Sequence, residues 1–409
     1  MRLFKVNKLK NGLTLLLLKR KTMRSASVSF CVKSGSVHEK DNIAGVSHFI
    51  EHTVFRKTKT RNIKEIKKPL EEVGGSLNAF TARNLTLFYS KVPSRNINIA
   101  IEILSDLTFN ASLEKDDIEK EKKVILEEIA MYEDDPVDQI FENLFRNVYD
   151  SNFGRPIIGH RETVKNMDEN ILRTHYQKNF IPENTIVSIV GNFDEDEIIE
   201  YLESLEIKRE YKDTNEIMSP VISNEEVKVK KTKKDLSQNY LVYAYEAPPK
   251  YSKDYYATLV LNTMMGSGMS SLLFTNIREE EGLVYEVASD YNSYNNSGLF
   301  MIFAATSNEN INDYKEKIEE ITKEIYKRED LNDWVNYGKQ RLIGKLTIDI
   351  ETNMAYGMKI LDLYLTYGKI VNIDEIVKKV EKVTLEDVIK VSKEIFTNTR
   401  FISELNPEK

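Results

Sequence analysis

Between Glu206 and Lys234 the chain is densely charged and poor in apolar residues, and a stretch of that kind cannot line a core. It divides the 409 residues into two long runs, each with enough apolar residues to bury a core of its own. The expected organisation is a first domain over 1–207, a charged linker over 208–236 and a second, related domain over 237–409. Cys31 is the sole cysteine, so no disulfide within the chain and no thiolate metal cluster can staple either domain.

Within both runs short apolar or alternating segments alternate with longer segments of helical period. The first run predicts strands at Leu13–Leu18, Ser25–Val32, Leu77–Phe80, Thr86–Val92 and Thr185–Val190. It predicts helices at Val46–Phe55, Ile63–Val73, Ile97–Thr108, Leu113–Tyr132, Val137–Tyr149 and Glu169–Phe180. Pro136 forbids simple continuation of the long charged helix that precedes it. After the charged stretch come a strand at Tyr240–Tyr245, a helix near Tyr255–Met264, a loop at Gly266–Gly268 and a helix over Ser271–Glu281. A strand pair near Val284–Thr306 and a run of helices complete the chain. Glu169–Phe180, followed by Asn184-Thr185 and an apolar strand, is echoed by Glu386–Phe396, followed by Asn398-Thr399 and Phe401-Ile-Ser. That echo points to an internal duplication. The expected fold class is α+β: two related halves, each a mainly antiparallel sheet with helices packed on one side, arranged like a clamshell.

The net charge of −7 argues against nucleic acid or an anionic membrane as the partner. The apolar run Leu13–Leu18 is too short for a signal-peptide core or a membrane span. Asn11-Gly12 reads instead as a turn feeding a strand. No membrane anchor is expected, and the cytoplasm is the expected compartment.

The chemistry concentrates in Gly45-Val-Ser-His48-Phe-Ile-Glu51-His52. Histidines four apart on a helix stand one turn apart on one face, so both imidazoles can reach a single ion. Zinc takes such nitrogen ligands and, in catalytic sites, keeps one position open. Glu51 stands near the same face and can accept a proton from an attacking water without being a ligand. The order H-x-x-E-H is the inverted form of the zinc-peptidase helix motif. Two histidines merely packed or solvated on a helix face are the plain alternative. All five histidines lie in the first run, so only one half can carry a histidine site. A third ligand is needed, and the helix around Glu121-Lys-Lys-Val-Ile-Leu-Glu127-Glu128 offers candidates. Glu121 and Glu128, two turns apart, share a face, and Glu127 points about a quarter-turn away. For most glutamates of such a helix a solvated surface is the ordinary state.

The chain resembles the pitrilysin/insulinase zinc metallopeptidases, in size and layout most like mitochondrial processing peptidase and its bacterial single-chain relatives. The resemblance runs through Asn11-Gly12-Leu13, Gly35-Ser36…Glu39, the His48–Phe55 segment, Gly74-Gly75-Ser-Leu-Asn78-Ala79-Phe-Thr81 and Val124-Ile-Leu-Glu-Glu128-Ile. It continues through Asp135-Pro136, Gly154-Arg155-Pro156-Ile-Ile-Gly159, Asn184…Gly191 and, in the second half, Ser271-Leu-Leu-Phe274…Arg278-Glu…Gly282-Leu283-Val-Tyr285. It implies Glu128 as third zinc ligand, Glu51 as base and Glu121 as a carboxylate steadying the ligands. It implies that Asn78 and Ala79 lie on an edge strand that pairs with substrate backbone, and that Arg278 and Tyr285 assist from the second half. One zinc per chain, peptide substrates and a homodimer, or a heterodimer with a related subunit, are also implied. Non-catalytic peptide-binding partner subunits form the alternative class, and members with that role usually lack part of the metal set. Lys57, Asn84 and Leu272 depart from the family pattern at positions outside the ligand set and base.

Overall fold

The computed structural model describes residues 4–207 and 213–408. The chain folds as two compact units, and neither is one continuous segment. The first comprises Met1–Met131, Arg155–Met218 and Asp349–Val371, and the second Tyr132–Gly154, Ser219–Ile348 and Asn372–Lys409. Among the described residues, no helix is long and apolar enough to cross a membrane.

The first unit is built on a six-stranded sheet of β1 (Lys5–Lys8), β2 (Thr14–Lys19), β3 (Ser25–Val32), β4 (Ser76–Thr81), β5 (Thr86–Pro93) and β6 (Thr185–Gly191). The strand order is β1-β2-β6-β3-β5-β4, with β2 and β6 parallel and all other neighbours antiparallel. Side chains alternate across a strand, so Leu15, Leu17, Val28, Phe30, Val187 and Ile189 share one face. That face packs into a core with helices α1 (Val46–Val54), α2 (Ile63–Glu72), α3 (Ile97–Phe109) and α4 (Lys115–Asp134). The alternate positions include Ser27, Ser29 and Ser188, a face of small side chains that a helix can approach closely. Helix Asn353–Tyr367, from late in the sequence, lies against β3 and β6 there. Gly357 stands at the point of approach: a Cβ on it would be tight against Val190 at 3.3 Å and in ordinary contact with the Ser27 hydroxyl at 3.6 Å.

The second unit repeats the plan. Its five strands are β7 (Val227–Lys233), β8 (Asn239–Ala247), β9 (Glu286–Ser293), β10 (Gly298–Thr306) and β11 (Arg400–Pro407), in the order β7-β11-β8-β10-β9. The pair β7 and β11 is parallel and the others are antiparallel. Matching β2-β6-β3-β5-β4 to β7-β11-β8-β10-β9 reproduces order and direction strand for strand, which is the duplication the sequence echo pointed to. One face packs on helices Tyr255–Gly266, Ile311–Glu324 and Leu385–Thr397. The other is covered by α5 (Pro136–Val148), from the first half of the sequence. Phe141 stacks on Phe303 at 5.8 Å, and the Ser403 hydroxyl donates to the Ile140 carbonyl at 3.1 Å.

Two expectations change. The compact units are not the contiguous segments 1–207 and 237–409, because each unit's sheet takes a covering helix from the other half of the sequence. The segment 208–236 is not a free linker in its described part either. Asn215 bonds Lys33 and Asn184, Met218 exchanges two hydrogen bonds with Asn84, and Val227–Lys233 forms an edge strand. Lysines suit that strand because an exposed edge is best guarded by charge. Residues 208–212 of the segment lie outside the described residues.

Candidate metal centre

Helix α1 is anchored from both sides before its chemistry begins. Val46, Phe49, Ile50 and Val54 are buried in the core of the first unit and fix which face turns outward. At its start Gly45 has φ +92°, and Gly159, in the loop crossing it, has φ +83°. A Cβ on either would run into the backbone carbonyl of the other segment, so the two glycines let that loop close on the helix entry. Ahead of them the buried Glu39 carboxylate accepts from Gly45 N at 2.7 Å and Ser47 N at 2.8 Å, satisfying two N–H groups that a helix start leaves unpaired. Burial pushes the Glu39 carboxyl up to about 7, against the pull of those two donors. Losing its acceptors would leave buried N–H groups unmatched, at a cost on the order of 1–3 kcal/mol.

The outward face of α1 presents His48, Glu51 and His52. The two imidazoles lie 4.7 Å apart between ring centres. Opposite them, α4 turns Ile118, Glu121, Ile125 and Ile129 inward and leaves Glu127 exposed, so the second glutamate of the Glu127-Glu128 pair faces α1. Glu128 Oε2 lies 3.8 Å from His48 Nε2 and 3.4 Å from His52 Nε2. One ligand atom from each of the three residues falls within 4.8 Å of the others, a group that could hold a metal ion.

Donor chemistry fits zinc. Two imidazole nitrogens and one carboxylate oxygen are a known catalytic set. Glu128 Oε2 is buried and has no hydrogen-bond partner, which is costly for a carboxylate unless a cation completes it. Around this group the electrostatics are already divided. Burial, and then the neighbouring His52, lowers His48 to about 4, so it stands neutral and ready to ligate. Burial also works against a charge on His52, but Glu121 and Glu128 outweigh it and raise that imidazole to about 9. A metal ion and a proton therefore compete for His52. The His52 imidazole, 3.4 Å away, holds the Glu128 carboxyl below its ordinary value.

Glu121 accepts from His52 Nδ1 at 3.1 Å and, on its other oxygen, from Arg56 Nε. That arrangement fixes the imidazole with Nε2 turned toward Glu128, the way a carboxylate orients a metal-binding histidine. Nδ1 of His48 is buried without such a partner. Glu51 accepts from the Thr81 hydroxyl at 2.6 Å, and burial raises its carboxyl while Thr81 opposes the shift. A raised carboxyl suits a group that must take a proton and return it.

The structure thus brings His48, His52, Glu128, Glu121 and Glu51 together. Asn78 and Ala79 lie on β4, the terminal strand of its sheet, and line the cavity that reaches Glu51 and His52. Arg278 and Tyr285 lie in the second unit beside one another. The Arg278 guanidinium sits 4.6 Å over the Phe274 ring and 5.6 Å from that of Tyr285, a residue 69% exposed. Segment Phe274–Glu280, expected as an ordinary helix, winds as a π-helix. Sequence reasoning missed the supporting roles of Thr81, Arg56 and Glu39. For Arg56 a signal existed: it follows His52 by one turn on the side that meets α4. The departures from the family pattern have local uses. Lys57 pairs with Glu114 at 2.6 Å, Asn84 ties down Met218, and Leu272 is buried in the second unit's core.

Fold and centre together define a duplicated α+β protein that carries, among the described residues, one histidine–carboxylate group able to hold a metal ion. Residues 15–161 match insulinase (peptidase family M16), and residues 166–334 match the domain described as the peptidase M16 inactive domain. An uncharacterized zinc protease of Rickettsia felis is 32% identical over 409 residues, covering 99% of this chain and 98% of its own. The uncharacterized zinc protease YmxG of Bacillus subtilis is 29% identical over 401 residues, covering 97% of each. Among solved structures, a protease from Helicobacter pylori has the same fold, with a TM-score of 0.90 over 100% of both chains at 20% identity. The chain belongs to the insulinase family of peptidases, family M16.

Proposed function

We propose that the chain is a zinc-dependent endopeptidase that hydrolyses unfolded peptides or leader and precursor segments, with one zinc held by His48, His52 and Glu128. The observation that carries this reading is the buried Glu128 oxygen, without a hydrogen-bond partner, facing two imidazole nitrogens on the helix face that also presents Glu51. Zinc, when bound, supplies Lewis acidity toward the scissile carbonyl and the attacking water. Glu51 takes the proton of that water and returns it to the leaving amine, held meanwhile by Thr81. Glu121 and Arg56 keep His52 in its ligating orientation. The open edge of β4 at Asn78 and Ala79 can add an extended substrate as a further strand, with main-chain bonds giving affinity at little sequence cost. Folded proteins cannot supply such a strand.

From the second unit Arg278 holds a substrate carbonyl, and the Tyr285 phenol supports the developing oxyanion. Exposure of Tyr285 and its closeness to Arg278 support a shared role. The protein works as a homodimer, or as a heterodimer with a related subunit. A non-catalytic partner subunit is the competing role, and the complete set of ligands and base counts against it. Arg278→Ala and Tyr285→Phe are each expected to lower kcat on an unfolded peptide by about tenfold or more, with zinc content unchanged. Steady-state kinetics beside metal analysis check this. Parental turnover in both variants would remove the second unit from the chemistry.

A further inference from the structure

Beside the metal group lies a cavity of about 390 Å³, reaching from Glu51 and His52 to α2 and β4. Half-buried Phe55, Ile63 and Leu77 give it an apolar wall. An extended peptide on β4 would place one side chain of the residues flanking the scissile bond in this space, since alternate side chains of an added strand point the same way.

The charges around the cavity are unequally committed. Both oxygens of Glu121 are taken, one by His52 and one by Arg56, so the Arg56 charge is already matched. Glu51 is held by Thr81. Lys67 also lines the cavity, is exposed, and has no carboxylate within ion-pair distance among the described residues. The acidic residues of its own helix are engaged or turned elsewhere. Glu65 accepts from Asn62 N at 2.8 Å to close the helix start, Glu72 pairs with Lys68 at 3.2 Å, and Glu71, one turn on, makes no ion pair with it. An apolar wall ending in one unmatched ammonium suits a side chain with an apolar stem and an anionic tip.

We propose that Lys67 is a specificity-determining residue, making this cavity a subsite that favours glutamate and rejects lysine or arginine in the substrate residue it receives. The inference rests on the peptidase reading above and adds the substrate class. A solvent-exposed pair of this kind is worth a modest preference, about fivefold, that shrinks with salt.

The test uses peptides that differ only by Glu, Gln or Lys at each position flanking the scissile bond. Their kcat/KM is measured with the parent, Lys67→Met and Lys67→Glu, and their affinity is measured separately for the zinc-loaded Glu51→Gln protein. At one flanking position the parent is expected to favour Glu over Lys by about fivefold. Lys67→Met should level that ratio and Lys67→Glu should invert it, with zinc content unchanged in both. Cleavage with the same Glu-to-Lys ratio in all three proteins overturns the role of Lys67 and leaves the peptidase reading intact. Preferential binding of the Glu peptide to Glu51→Gln, with no cleavage by the parent, does the reverse. Neither binding nor cleavage of any peptide overturns both.

Discussion

Replacing Glu51 by glutamine is expected to lower peptide cleavage by about a hundredfold or more while zinc stays in place. The glutamine keeps the shape and can still accept from the Thr81 hydroxyl, so the local packing of α1 is preserved. It cannot take a proton. Glu51 is absent from the group of atoms close enough to hold an ion, which is His48, His52 and Glu128. Zinc content and rate are therefore expected to separate in this variant, whereas in a ligand variant they fall together. Metal analysis after gel filtration, beside single-turnover kinetics on an unfolded peptide, measures both. Cleavage at the parental rate would show that another group is the base.

His48→Ala and Glu128→Gln are expected to strip the centre. Disturbing only an outer partner of a ligand typically lowers metal affinity by about 10–100-fold, and removing a ligand goes further. The parent is expected to retain about one zinc per chain, because histidines occur only in the first half, and each variant close to none. Glu128→Gln is the sharper of the two, since the amide is nearly isosteric and leaves α4 undisturbed. It removes the charge that both imidazoles face. Full zinc retention in Glu128→Gln would move the third ligand elsewhere, and two tightly held ions per parent chain would contradict a single centre.

Much of this centre could be read from the sequence because its parts are local. The H-x-x-E-H spacing places three side chains on one face of a helix whatever surrounds it. The seven-residue step from Glu121 to Glu128 does the same on α4. What the spacing left open, the choice of Glu128, came from family resemblance, and the structure gives its physical reason: Glu127 turns to solvent while Glu128 faces the histidines. Strands β2 to β6 of the first unit were legible for the same local reason, their alternation or their continuous apolar runs, whereas β1, the exposed Lys5–Lys8, was not.

The long-range features were not legible. β7 reads Val-Lys-Val-Lys-Lys-Thr-Lys and looks like linker, although it occupies the place that β2, with its run of leucines, occupies in the first sheet. An edge strand with little to bury carries little apolar signal. The exchange of covering helices was equally hidden. Nothing local in Asn353–Tyr367 says that it packs on β3 and β6, and the serines of that face read as ordinary polar alternation. Residues 1–207 alone would leave that serine face bare and α5 without its sheet, so the two halves cannot be tested as separate fragments.

The most direct test is digestion of an unfolded peptide in water enriched in oxygen-18, with the metal-stripped chain and again after one equivalent of zinc is restored. Cleavage is expected only with zinc, with each new carboxyl terminus carrying one heavy oxygen read by mass spectrometry. A folded chain that takes up its equivalent of zinc through His48, His52 and Glu128 and still leaves a broad set of unfolded peptides intact would contradict it.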